Sequence, residues 1–463
     1  MADLVPQTTE PTSLPLTQAL GRFVADVTFE QLPEPALRTV RTGFIDCIGT
    51  MIAGSVEPAV QILKKTLATA GNGEATLYLS SERCPAPEAA WINGTAAHAL
   101  DYDDVALRGH PSTVLVPAIL AEGEALGASG RDMLRAYAAG YEVWAELVER
   151  ERGHHHVKGW HPTGIFGAIG AAAACASLRR LDAERATLAI ALGASQSGGV
   201  MANFGTMTKP FHAGRAAHSG VIAARLAEAG FTASADALEH PQGFLSAVSP
   251  EGSVDRASAP RALGRDWRLA SVGLSIKKFP ACYCTHRSID GMLDLVARRP
   301  IDPAQIDRIT VSLSDTHATI LRNHAPQTGL AAKFSIEFAM AAAVTARRVG
   351  LGELTDTLVR RADIQTLMRR VVVETNRNYD PETPGASVYD QVRVHLVDGT
   401  VLESDRVRHA RGHAALPLSE GELFEKFRGC LDVGGARLEA RRLFERLLTL
   451  QDLASARNLV AAR

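Results

Sequence analysis

The sequence has little of what would mark a specialised partner or compartment. Lys and Arg (49) almost balance Asp and Glu (51), so the formal net charge is −2 over 463 residues. Chains that bind nucleic acid usually carry a basic footprint, and its absence argues against that class. No apolar run is long enough to read as a membrane span. The longest small or apolar stretch, TGIFGAIGAAAACASL from Thr163 to Leu178, is rich in Ala and Gly. It reads as a buried helix whose small side chains admit close neighbours. The opening MADLVPQTTEPTSLPLTQ has no basic start and no apolar core, unlike a signal peptide. Cysteine is sparse: Cys47, Cys84, Cys175, Cys282, Cys284 and Cys430 are scattered, which fits reduced thiols in a cytoplasm rather than a disulfide framework. Cys282-x-Cys284 lacks the two-residue gap of the usual zinc knuckle or redox pair. There is also no G-x-G-x-x-G after a strand, no P-loop, no G-x-S-x-G elbow and no H-E-x-x-H, so nothing supports hydride or phosphoryl transfer.

What is present is helical for the first 260 residues or so. LRTVRTGFIDCIGTMIAG, EAAWINGTAAHAL, RDMLRAYAAGYEVWAELVERE, DAERATLAIALGASQS and RAAHSGVIAARLAEAGF repeat apolar residues at three- and four-residue spacing. The pattern changes near Trp267. SVGLSIKKFP reads as extended, RSIDGMLDLVARR as a helix, and QIDRITVSLSD alternates like a half-buried strand. KFSIEFAMAAAVTARRV returns to helix. YDQVRVHLVDGTVLESDRV is two alternating runs joined at Asp398-Gly399, a hairpin signal. The expected architecture is mostly α: a large all-helical domain of residues 1–267 with 408–463, and a smaller α+β domain of residues 268–407 with an antiparallel sheet.

Four polar clusters interrupt these apolar segments: HALDYDDVALRGHPST (98–113), GHHHVKGWHPTG (153–164), NFGTMTKPFHAGRAA (203–217) and IKKFPACYCTHRSID (276–290). Each has an ordinary structural reading. Asp103 and Asp104 can cap the next helix, and His154, His155 and His156 can form a solvated face. Together the clusters supply His, Asp and Lys, the residue types needed to remove a proton beside a carboxylate. A base takes the proton, and cations hold the enediolate that develops.

The motifs HALDYDD with GHPS, GWHPTGIFGAIGAAAA, NFGTMTKPFHAGRAA, KKFPACYCTH and AKFSIEFAMA, in that order, resemble those of the MmgE/PrpD family. That family includes 2-methylcitrate dehydratase, cis-aconitate decarboxylase and iminodisuccinate epimerase. The resemblance implies a helical domain with an α+β lid, a homodimer, a small di- or tricarboxylate substrate, and no metal or organic cofactor. It places catalytic roles on Asp101, His110, His161, Lys209 and Lys277, with Lys278 as the register rival of Lys277. Ser112, Thr208, Lys278, Cys282 and His286 become the candidate substrate-binding side chains. Asp103 and Asp104 then support the loop. His161, with His110 as a possible partner on the opposite face, is the expected acid/base, and the lysines are the expected carboxylate ligands.

Two departures shape the expected reaction. The decarboxylase pattern has a Thr after D-D and a second His-Pro before H-P-S, where this chain has Val105 and a shorter loop containing ALRG. RGHPS, GWHPT and NFGTMTKP are closest in wording to the epimerase branch. The expectation is therefore a cofactor-independent dehydratase-like or epimerase-like enzyme. The alternatives are a decarboxylase-like enzyme and a non-catalytic carboxylate-binding homologue.

Overall fold

The computed structural model describes residues 14–67, 73–77 and 82–459. Its helical body is built from α1 (Leu16–Asp26), α2 (Glu34–Gly54), α3 (Ala86–Ala99), α4 (Ser112–Leu126), α5 (Gly130–Glu149), α6 (Pro162–Leu178), α7 (Ala183–Ser195) and α8 (Thr208–Glu228). Helix α6 is the Ala/Gly-rich stretch, and every one of its residues is buried. Small side chains there allow backbones to touch. A Cβ on Gly220 of α8 would come within 2.3 Å of the Ala171 Cβ, and one on Gly214 within 2.1 Å of the Trp91 carbonyl oxygen. Either substitution forces helices apart in an interior packed without slack. Among the described residues no helix is long and apolar enough to cross a membrane.

The second hydrophobic core gathers Phe204, Phe279 and Cys282 with residues from Ile289 to Val394. It packs α9 (His286–Arg298) and α10 (Ile336–Thr345) with a four-stranded sheet of β1 (Ile306–Ser314), β2 (Val371–Asn376), β3 (Gln391–Leu396) and β4 (Val401–Glu403). The strand order is β2-β1-β3-β4. β1/β3 and β3/β4 are antiparallel, and β3/β4 close through the Asp398-Gly399 turn with Gly399 at φ +85°. β2 lies parallel to β1, so the sheet is mixed rather than wholly antiparallel. The reason is the connection: the chain passes through helices, α10 among them, between β1 and β2, as a parallel pair requires.

The extended reading of SVGLSIKKFP needs refining. Ser275 pairs with Val105 through two backbone bonds of 2.8 and 3.0 Å, and the Ile276 N–H donates to the Gly412 carbonyl at 2.7 Å, but the segment joins no sheet. It runs from one core to the other and carries Lys277 between them. The C-terminal helices α11 (Glu420–Val433) and α12 (Ala440–Leu448) return to the helical body, burying Phe427, Leu431, Phe444 and Leu447 in its core. Lys426 of α11 reaches Asp46 of α2 at 2.5 Å and donates to the Tyr102 carbonyl at 2.7 Å. The tail thus braces the loop that carries Asp101.

Candidate active site

Helix α3 ends at Ala99, and Asp101 takes a left-handed backbone conformation at φ +52°. Asp tolerates that region better than most residues. The turn reverses the chain and aims the Asp101 carboxylate at two lysines. Lys209 Nζ, from the first turn of α8, donates to Asp101 Oδ1 at 2.6 Å. Lys277 Nζ donates to the same oxygen at 2.9 Å and to the Asp101 carbonyl at 2.8 Å. All three side chains are almost fully buried. Burial alone would raise the Asp101 carboxyl, but Lys209 and Lys277 hold it well below the usual carboxylate range. Burial works against the Lys277 ammonium too, and Asp101 and Asp103 together more than offset it. Lys209 also lies 5.3 and 5.2 Å from the ring centres of Phe204 and Phe334, within cation–π reach.

Asp103 bridges two imidazoles: His98 Nδ1 at 2.8 Å from one oxygen and His110 Nδ1 at 2.7 Å from the other. His110 Nδ1 is also 2.8 Å from the Asp104 carbonyl. Both Nδ1 atoms face only acceptor oxygens, so the Nδ1–H form is favoured and Nε2 is left for other partners. Asp104 points the other way, to Ser112 at the start of α4. It accepts from the Ser112 N–H at 3.3 Å and from its hydroxyl, and that hydroxyl lies 2.7 Å from the Tyr137 hydroxyl. Asp103 and Asp104 therefore do hold the loop, as their positions suggested.

His161 stands at the N-cap position of α6 without a side-chain capping bond, is buried, and packs edge-on to Phe204 with ring centres 4.8 Å apart. Burial, reinforced by the nearby Lys209 charge, pushes its pKa well below 6.5, so the ring is neutral at pH 7. Burial lowers His110 as well. Asp101, His110, His161, Lys209, Lys277 and Cys282 all line one cavity of about 120 Å³. A cleft of about 1250 Å³ lies alongside and shares Val105, Arg108, His156, Tyr283, Cys284 and Ile320 with it.

Four of the anticipated binding residues lie elsewhere. Ser112 is committed to Asp104 and Tyr137. Thr208 stands beside the cavity at the start of α8 without lining it. Lys278 points to Glu422 at 3.3 Å. His286 is buried behind Phe279 and Tyr283, with Nε2 3.3 Å from the Ala281 carbonyl. The solvated reading of the His triplet is corrected: His155 is buried edge-on to Phe166, and His156 lines the cavity.

Sequence reasoning missed His98, His212, Phe204, Phe334 and Lys333. The three charged or imidazole residues all sit inside the quoted motifs. Lys333 is buried, donates to the Ala99 carbonyl at 3.3 Å, and is lowered to about 8 by burial.

Potential ligand atoms of His98, Asp101, Asp103 and His110 lie within 4.8 Å of one another. The donor set nevertheless fits a cation poorly. One Asp101 oxygen already holds two ammoniums, and each Asp103 oxygen holds an imidazole. A divalent ion would sit beside two positive charges.

Fold and site define a mostly helical protein with a second, α+β core and a buried pocket in which two lysines share one aspartate among neutral histidines. The chain belongs to the MmgE/PrpD family: the MmgE/PrpD N-terminal domain matches residues 18–257 and the MmgE/PrpD C-terminal domain residues 279–450. Its curated relatives include the cis-aconitate decarboxylase of Mus musculus, 26% identical over 94% of this chain and 90% of that protein. The cis-aconitate decarboxylase of Homo sapiens is 27% identical over 89% and 87%. That of Aspergillus terreus is 21% identical over 84% of each.

Proposed function

We propose that the protein is a lyase or isomerase acting on a small di- or tricarboxylate through a carbanion or enediolate beside a carboxylate, without a metal or organic cofactor. The observation that carries this reading is the shared Asp101 oxygen with its two buried ammoniums. Asp101 takes one N–H from Lys209 and, with its carbonyl, two from Lys277, and the ammonium donors that remain suit a substrate carboxylate. Lys209 and Lys277 then stabilise the negative charge that develops on that carboxylate as a bond at the adjacent carbon breaks. Neutral His161, with His110 nearby, is suited to move the proton.

Three outcomes share this chemistry. In dehydration the histidine takes the carbon-bound proton and passes it to the departing hydroxyl, which leaves as water. In epimerisation the proton returns to the opposite face. In decarboxylation the carbon–carbon bond breaks, CO2 leaves, and the acid delivers a proton to carbon. The relatives' names favour decarboxylation of cis-aconitate, whereas Val105 and the short Ala106–Gly109 loop favour the dehydratase or epimerase branches. We further propose a cytoplasmic homodimer in which residues 268–407 act as the lid.

The test is incubation with cis-aconitate, 2-methylcitrate, iminodisuccinate and related carboxylates in heavy water, followed by proton NMR and CO2 capture. Conversion of one substrate, or exchange at its acidic carbon, supports the reading and names the reaction. Neither conversion nor exchange with folded protein that still binds carboxylates would replace it with a non-catalytic binder.

A further inference from the structure

His161 lines the cavity and has a partner beyond it. Its Nδ1 lies 3.1 Å from Nδ1 of His212. Two neutral imidazoles at that distance share a single proton, one Nδ1–H donating and the other Nδ1 accepting. Burial lowers His212 to about 4 and holds His161 well below its ordinary value, so both rings are neutral at pH 7. His212 follows Lys209 by one turn of α8, so one helix places the lysine and this second imidazole. Gly199 clamps the pair. Its carbonyl accepts from the His161 N–H at 3.0 Å, and a Cβ on it would stand 3.0 Å from His212 Cγ. Gly199 also sits at φ +123°, where other residues are strained. His212 itself does not line the cavity.

We infer that His212 is a positioning residue that sets the tautomer of His161, and thereby whether the remaining ring nitrogen, Nε2, accepts or donates the substrate proton. When His212 accepts from the His161 Nδ1–H, Nε2 carries a lone pair and acts as base. The imidazolium formed on taking the proton keeps its Nδ1–H on a neutral acceptor. When His212 donates, His161 carries the proton on Nε2 and acts as acid. Lys209 on α8, His98 on α3 and His110 in the following loop face the same ring and disfavour its charged form. A neutral acceptor at Nδ1 counters them.

This deepens the proposed function of the site and rests on it. The kinetic test compares His212→Leu, which can neither donate nor accept, with His212→Asn, whose amide can do both. The substrate is whichever carboxylate the wild type converts. His212→Leu is expected to lower kcat by about 10–10²-fold, short of the loss of a general base itself, with KM changed less than about threefold. The acidic limb of its kcat/KM profile should move to lower pH, because the imidazolium loses its acceptor. His212→Asn should restore most of kcat and the limb. Equal losses in both variants with an unmoved limb would overturn the role. A second measurement needs no turnover. In solid-state NMR of histidine-¹⁵N enzyme, a cross peak between one protonated and one bare Nδ1 is expected, absent in His212→Leu. Its absence from the wild type would refute the pairing whether or not any carboxylate is converted.

Discussion

Replacing Asp101 by Asn removes one negative charge and almost nothing else. Asn has the same shape and accepts the left-handed conformation at φ +52°, so the change isolates the charge from backbone strain. It leaves Lys209 and Lys277, both now within 2.9 Å of one carboxylate oxygen, buried with no anion between them. Ammoniums on one oxygen lie on the order of 5 Å apart, and their repulsion at an effective dielectric of about 20 is about 3 kcal/mol. Breaking a buried ion pair on one side costs about 3–5 kcal/mol by mutational experience, which agrees. In the wild type, Asp101 is held below its unfolded pKa and Lys277 above its own. The aspartate's stabilisation is present above its unfolded pKa and is lost only as pH falls through the depressed folded value. The lysine's is present below its unfolded pKa and is lost as pH rises through the raised folded value. Both act in full from about pH 4 to 10. In the variant one lysine sheds its proton more easily, so the deficit is largest at neutral pH and narrows toward pH 10. Urea unfolding followed by tryptophan fluorescence at pH 7 and 9.5 measures this directly. A gap below about 1 kcal/mol at pH 7, under the range for a broken buried pair, or the same gap at both pH values, would refute the charge argument.

His161→Ala should lower kcat by about 10²–10⁴-fold while substrate binding, measured by calorimetry, changes little. Lys277→Ala should weaken both binding and turnover. Lys278→Ala, which loses only the half-exposed contact with Glu422, should alter stability by less than about 1 kcal/mol and leave steady-state kinetics unchanged. Activity should survive prolonged EDTA treatment, because the ammoniums on Asp101 stand where a cation would have to sit. Loss in EDTA with recovery on adding a divalent ion would return His98, Asp103 and His110 to consideration as ligands.

The helices, the hairpin at Asp398-Gly399 and the clusters that hold Asp101, His110, His161 and Lys209 are legible in the chain. Periodicity and turn chemistry act over a few residues, and those features are local. Packing alone separated Lys277 from Lys278. Neighbours on an extended segment face opposite ways, and the pairing of Ser275 with Val105 turns Lys277 inward to Asp101 and Lys278 outward to Glu422. The His triplet looked like a polar surface because burial is not written in a run of identical residues. Its fate depends on Phe166, which takes His155, and on the cavity that His156 lines. The parallel placement of β2 depends on how the intervening helices cross the sheet. His98 and His212 acquire meaning through partners 5 and 51 positions away, Asp103 and His161. Residue chemistry is local and legible in the chain, whereas a proton's path depends on distances that only the folded packing of α3, α6 and α8 creates.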